Sequence, residues 1–176
     1  QSRKELEDLI KQLTRKMEEL FAQSFEEINQ NFQKIFVDLF GGGHGELKLT
    51  DPEDLLGSGI EIIVQPPGKV IRHLSALSGG EQSFVAIAIY FAILKVRPAP
   101  FCILDEIEAA LDDVNVARYA EYLRLMSDKT QFIAITHRRG TMEEADVLYG
   151  VTMQEKGVSK LLKLDVSEVA GQSQTA

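Results

Sequence analysis

"LSGGEQSFVAIAIYFAIL", Leu77 to Leu94, decides how the rest of the chain is read. A serine and two glycines open it, and the apolar run that follows suits a buried helix, stopped by the two prolines between Arg97 and Pro100. At a helix N-terminus, Ser78, Gly79 and Gly80 offer backbone amides, a hydroxyl and the positive end of the dipole, with no side chain to block an anion. Yet nowhere does the sequence contain GxxxxGK followed by Ser or Thr, the loop whose lysine and hydroxyl hold a nucleotide's phosphates. An anion at Ser78 is therefore expected to be held mainly by another polypeptide, or by a further part of this one.

Downstream, strands and helices alternate. "FCILDE" reads as a short apolar strand, Phe101 to Asp105, that ends in acid. Asp112 or Asp113 caps a helix running to about Met126, Gln131 to Thr136 is a second strand, and "TMEE", Thr141 to Glu144, matches a capping box opening a short helix. A hairpin turning at "QEKGVS" follows. Buried strands separated by helices predict an α/β fold with a mostly parallel sheet, whose ligands bind beyond the carboxyl ends of the strands. Two strand ends are thereby singled out. Carboxylates after an apolar strand are costly unless they meet a cation or water. Side chains alternate along an extended strand, so Asp105 would reach an Mg²⁺ shell while Glu106 faces a water-filled cleft as general base. At the end of "FIAITH", Thr136 and His137 enter the same crevice, where a neutral imidazole would touch a terminal phosphate.

Upstream, apolar residues fall at Leu6, Ile10, Leu13, Met17, Phe21, Phe25, Ile28, Phe32, Ile35 and Leu39, one stripe on a long helix with an inserted stutter between Leu13 and Phe25. Two readings stand: an amphipathic helix packed on its own domain, or the root of a coiled coil whose Phe-rich half, Phe21 to Phe40, turns into a globular head. A start in mid-pattern, without Met, favours the second and a piece of a longer chain. After "LFGGGHGELKL" the period changes to two. Glu46 to Thr50 and Ile60 to Gln65 read as strands, and "QPPGKV" turns into a third, Val70 to Leu74, giving a small antiparallel sheet. Gly41, Gly42 and Gly43 lack a following Lys and hydroxyl and read as a turn or helix stop. His44 and His73 lie beside this sheet without partners at metal-ligand spacing and read as surface or turn histidines. The small, polar tail from Ser167 is expected to be disordered.

Composition narrows the function classes. With 176 residues and 44% hydrophobic content, the chain can bury one real core. A formal charge of -8 and a pI near 4.9 argue against wrapping a nucleic-acid backbone through bulk electrostatics, leaving only a local basic patch for such contact. The single cysteine, Cys102, sits in an apolar run as a core residue and suits a reducing compartment. No window is expected to reach the ~18 uncharged apolar residues of a membrane span, and no signal-peptide h-region opens the chain. An intracellular protein without a membrane partner is expected.

In this order and spacing, "LSGGEQ", "FCILDE", "ALDD" and "ITH", with "LFGGGHGELKLTDPEDLLGSGIEIIVQPPGK" and "THRRGTMEEADVLYGVTMQEKGVSK", resemble the C-terminal half of the ATPase head of a bacterial SMC (structural maintenance of chromosomes) protein, in the ABC ATPase superfamily. The resemblance covers about residues 20 to 165. It implies residues 1–40 as the end of the coiled-coil arm, 41–165 as the C-terminal lobe of the head, and 166–176 as a tail. In that family the N-terminal half of the head brings the phosphate loop, which accounts for its absence here. The resemblance further implies that Ser78, Gly79 and Gly80 contact the γ-phosphate of ATP held on a second head. Asp105 would support Mg²⁺, Glu106 would be the general base, Asp112 would belong to the D-loop and His137 would be the switch histidine. Gln82 is a mild departure from the family signature. The implied partners are the N-terminal half of the head, a second head in an ATP-dependent homodimer, the C-terminal winged-helix domain of a kleisin, and DNA through the full complex in the nucleoid. A coiled-coil ABC ATPase of double-strand-break repair, or a non-catalytic partner-binding piece, are the alternatives; "TDPEDLL" and "GTMEEADVLYGV" favour SMC.

Overall fold

The structure is a computed structural model describing residues 2–69 and 73–166. The chain divides into two compact units, residues 1–99 and 100–176. The expected tail beyond Ser167 lies outside the described residues.

The first unit opens with α1, Ser2–Phe40, a helix with no Gly or Pro inside it. Gly41, at φ 73°, stops it in the left-handed conformation that glycine adopts most cheaply, and Gly42 N–H donates back to Val37 O at 3.0 Å. The apolar stripe splits in two. Leu6, Ile10, Leu13, Met17 and Leu20, in steps of four and three, are all more than half exposed, whereas Phe32, Ile35, Phe36 and Leu39 are buried. Two strands follow, β1 (His44–Leu49) and β2 (Ile60–Gln65), antiparallel with Leu47 opposite Ile62. β1 begins two residues before the expected Glu46, because Gly43, at φ 84°, lets the backbone pass close to Gln65 O. Asn29, buried on α1, accepts the Leu47 N–H at 2.8 Å and so ties helix to sheet.

The expected third strand is only partly visible. Val70 to Arg72 fall outside the described residues, His73 makes a single antiparallel bridge to Ile63, and Leu74–Ala76 is a 3-10 turn. From it the chain enters α2, Gly79–Val96, which packs Phe84 4.9 Å from Phe40 of α1. Contrary to the sequence expectation, α2 is long and apolar enough, at a mean hydropathy of 1.3, to meet the length and composition of a membrane span. It also carries Glu81 and Lys95 and buries Phe84, Val85, Ile87, Ala88 and Phe91, the pattern of a core helix.

In the second unit, β3 (Phe101–Asp105) and β4 (Gln131–Ile135) pair in parallel, Phe101 opposite Gln131 and Asp105 opposite Ile135. Parallel strands need a crossover, supplied by α3, Asp113–Met126, which buries Val116, Tyr119, Ala120, Tyr122 and Leu123. Cys102 is buried as expected, together with Leu104. Phe101, Ile103, Ile133 and Ile135 line the opposite face and are 46–60% exposed, leaving one apolar side of a parallel pair uncovered by the described residues. After the short α4, Arg139–Glu143, the hairpin of β5 (Val147–Glu155) and β6 (Val158–Asp165) turns at Gly157. The class is α/β. Among the described residues parallel pairing is confined to β3–β4, because β5 and β6 pair only with each other.

The expected capping box at Thr141 is absent. α4 is capped at Arg138 without a side-chain bond, and the Thr141 hydroxyl instead donates to Glu108.

Candidate functional site

In the second unit the parallel register brings two strand exits level. Asp105, exposed, is the last residue of β3. Glu106 then turns to φ 47°, the only positive φ of a non-glycine residue among those described, at a cost of about 1–2 kcal/mol. Its N–H donates to Ile135 O at 2.9 Å, and its carbonyl accepts from Ala109 N–H at 3.0 Å. Strand alternation is therefore not what separates the two carboxylates: a left-handed turn does. Glu106 Oε1 lies 3.4 Å from Nδ1 of His137, two residues past the end of β4, and both side chains are more than half exposed. A carboxylate only accepts, so a hydrogen bond here has Nδ1–H as its donor.

Two residues that the sequence reading missed hold these loops. Glu108, 1% exposed, accepts through Oε1 from the hydroxyls of Thr136 and of Thr141, the latter at 3.0 Å. Arg138 donates through its guanidinium to Leu111 O at 2.8 Å and to Asp113 Oδ1 at 3.0 Å, and through its N–H to Thr136 Oγ1 at 3.0 Å. The available signals were an acid inside the small, apolar "IEAAL" and two threonines around "THRRGT". Between them lies Asp112, whose Oδ1 caps α3 by accepting Asn115 N–H at 2.9 Å while Oδ2 accepts the Asn115 side-chain amide at 3.0 Å.

Ser78, Gly79 and Gly80 belong to the first unit. Ser78 and Glu81 form a capping box: the Ser78 Oγ accepts Glu81 N–H at 3.4 Å, and Glu81 Oε2 accepts the Ser78 N–H at 3.0 Å and its hydroxyl at 2.9 Å. Glu81 Oε1 also accepts from Lys69 Nζ at 2.7 Å. That ammonium, helped by the Ser78 bonds and opposed by burial, holds the Glu81 carboxyl below its ordinary value of 4.5. A methyl at Gly79 would meet nothing within 4 Å, so internal packing does not require glycine here. His44 and His73 border one open face of β1–β2, with His44 Nε2 3.7 Å from Glu46. No group of three or more His, Cys, Asp or Glu suited to a metal occurs among the described residues. A lone strand-end carboxylate such as Asp105 still fits Mg²⁺, which keeps waters and is bound through one or two carboxylates plus substrate phosphates.

The chain is thus of the α/β class, with carboxylates and a histidine at adjacent parallel strand exits and a serine, followed by two glycines, capping a core helix. The chain belongs to the family described as RecF/RecN/SMC N terminal domain, whose model matches residues 2–160. It is 59% identical over 160 residues to the chromosome partition protein Smc of Bacillus subtilis (strain 168), covering 91% of this chain and 14% of that protein. A crystal structure of the Smc head domain with an extended coiled coil, bound to the C-terminal domain of ScpA and derived from Pyrococcus furiosus, matches 95% of this chain and 42% of the solved one, at 40% identity and TM-score 0.84. A structure from work on ATP-driven dimerization and DNA stimulated activation of SMC ATPases matches 90% of this chain and 98% of the solved chain, at 39% identity and TM-score 0.78. The resemblance to SMC heads thus holds for the family and the head fold, and the chain spans about 14% of the length of the curated relatives it matches.

Proposed function

We propose that this chain is the C-terminal half of an SMC ATPase head and that it completes, with the N-terminal half, a site of ATP hydrolysis shared between two heads. The observation that carries the proposal is the Glu106–His137 pair at the exits of β3 and β4, with Glu106 kept in a left-handed turn beside Asp105. The missing phosphate loop and the uncovered apolar face of β3–β4 agree with a partner half that supplies both.

In this reading Glu106 accepts a proton from the attacking water, and His137, beside that carboxylate, is the switch histidine near the terminal phosphate. Asp105 would hold Mg²⁺, which neutralises charge on the transferring phosphoryl group. Ser78 and the amides of Gly79 and Gly80 receive the γ-phosphate of an ATP bound to the opposite head. Two such sites lie on a two-fold axis, so ATP holds two heads together until hydrolysis removes the shared anion. Asp112 caps α3 and thereby shapes the D-loop that crosses the head interface.

Around this core the remaining assignments follow the family. Residues 1–40 form the end of the coiled-coil arm, with the exposed Leu6-to-Leu20 seam awaiting its partner helix; 41–165 form the C-terminal lobe. The P. furiosus head bound to the C-terminal domain of ScpA supports a kleisin partner, contributing its winged-helix domain, and DNA is engaged through the full complex. Chromosome segregation in the cytoplasm, at the nucleoid, is the corresponding role.

The test is reunion with the matching N-terminal half, measured as phosphate release. This chain alone should hydrolyse no ATP, and the assembled head should. Glu106→Gln should keep ATP binding, accumulate ATP-dependent dimers on gel filtration and slow turnover by about 10²–10⁴-fold. Robust turnover by the chain alone, or unchanged turnover by Glu106→Gln, would sink the proposal.

A further inference from the structure

Glu108 is the only buried carboxylate among the described residues, and none of the roles above uses it. An apolar side chain would fill the same space without the desolvation that a buried carboxylate suffers, so its hydrogen bonds are where its function lies. Those bonds run to the hydroxyls of Thr136 and Thr141. Their place in the chain is informative: Glu108 stands two residues after Glu106, and Thr136 immediately precedes His137. Thr136 Oγ1, while donating to Glu108, accepts the N–H of Arg138, so the backbone is fastened on both sides of His137. On the other side, the turns Glu106 O to Ala109 N–H and Glu108 O to Leu111 N–H make the segment that carries Glu106 and Glu108 short and stiff. A clamp between Glu108 and Thr136 therefore sets the separation of the next groups outward, Glu106 and His137, at 3.4 Å.

We propose that Glu108 is a positioning residue for hydrolysis: through Thr136 it holds His137 against the Glu106 carboxylate, and through Thr141 it anchors α4 to the same loop. The proposal rests on the reading of Glu106 as general base. Glu108→Gln keeps shape and an acceptor oxygen but loses the charge that strengthens both hydroxyl bonds. Thr136→Val keeps shape and removes the hydroxyl.

The experiment uses the head assembled from this chain and its N-terminal half. Each variant should lower kcat about 10-fold, with KM for ATP and ATP-dependent dimerisation unchanged, because a misplaced base loses rate rather than binding. Thr136→Ser should restore most of the rate. In a Glu106→Gln background neither substitution should lower kcat further, since the clamp acts through Glu106. If Glu108→Gln does not fold, Thr136→Val alone decides. Wild-type kcat in the variants, where Glu106→Gln stalls turnover, would overturn the positioning role and leave the base intact, as would a parallel loss of dimerisation and KM. Normal turnover by Glu106→Gln would overturn the general-base reading and this proposal with it.

Discussion

Ser78 caps α2 and, in the function proposed above, also receives a phosphate; a single substitution would confuse the two, and the geometry of the capping box shows how to separate them. Ser78→Ala removes the hydroxyl that accepts Glu81 N–H at 3.4 Å and donates to Glu81 Oε2 at 2.9 Å. Glu81→Ala breaks the same box from the other side, including the bond to Ser78 N–H at 3.0 Å. As caps, the two are comparable: each should cost about 1 kcal/mol of stability, or roughly 2–4 °C in Tm for a domain of this size. On the phosphate they diverge. A hydroxyl bonded to a charged phosphate contributes about 1.5–3 kcal/mol, and a two-fold dimer holds two of them, so Ser78→Ala should weaken ATP-dependent dimerisation by about 10²–10⁴-fold. Glu81→Ala removes a negative charge beside the incoming phosphate and frees Lys69, so dimerisation should hold or tighten. Sedimentation of the assembled head with ATP, in a Glu106→Gln background to prevent turnover, reads the dimer; urea unfolding of the same samples reads the cap. Equal effects of the two variants on dimerisation would refute the phosphate role and leave Ser78 a cap only.

Two further outcomes test the first unit. A Cβ at Gly45 would stand 2.7 Å from Phe36 Cγ, and that ring cannot retreat, being buried and stacked 4.2 Å from Phe40; Gly45→Ala should cost about 1–3 kcal/mol in urea unfolding, largely recovered in a Phe36→Leu double variant. Lys69→Met should remove the main cause of the lowered Glu81 carboxyl; because a lowered pKa stabilises the fold above the unfolded value, the wild type should exceed the variant by at most ~1 kcal/mol above pH 4.5, the gap closing as acid protonates Glu81, and a gap independent of pH would contradict the pairing.

β2 and β3 were legible to the residue because each is an apolar run between turn formers, Gly59 and Pro66 in one case, Pro100 and the acid pair in the other. Ser78-to-Glu81 and Thr141-to-Glu144 both match the capping-box pattern, and nothing local tells them apart. The choice is tertiary: Thr141 is claimed by a buried carboxylate 33 residues earlier, whereas Ser78 has no such rival among its bonds. Likewise the strand ends pointed to Asp105, Glu106 and His137, but the left-handed turn at Glu106 left no mark, since glutamate has no preference for that conformation. Glu108 and Arg138 were invisible for a related reason. Each serves partners 25 to 33 residues away, and hydrophobic periodicity carries no information about polar pairs at that range.

The Glu106–His137 contact depends on register as much as on residue identity. Sliding β4 by one residue along β3 would shift its exit by roughly 3.3 Å, about the length of the contact itself, and would turn the other face of β4 toward the buried side. The sheet alone does not prevent such a slip, because among the described residues only two strands pair in parallel and one face of the pair is uncovered. What does oppose it are the crosslinks beyond the strand ends: Glu106 N–H to Ile135 O, Glu108 to Thr136, and Arg138 to Leu111 O and Asp113. All of them would have to break together. The strained turn at Glu106 persists on the same footing, since one of these bonds belongs to its own N–H. The loops around the candidate base thus hold the sheet in register as well as presenting its chemistry, so substitutions at Thr136 or Arg138 should be felt at Glu106 before they are felt in the helices.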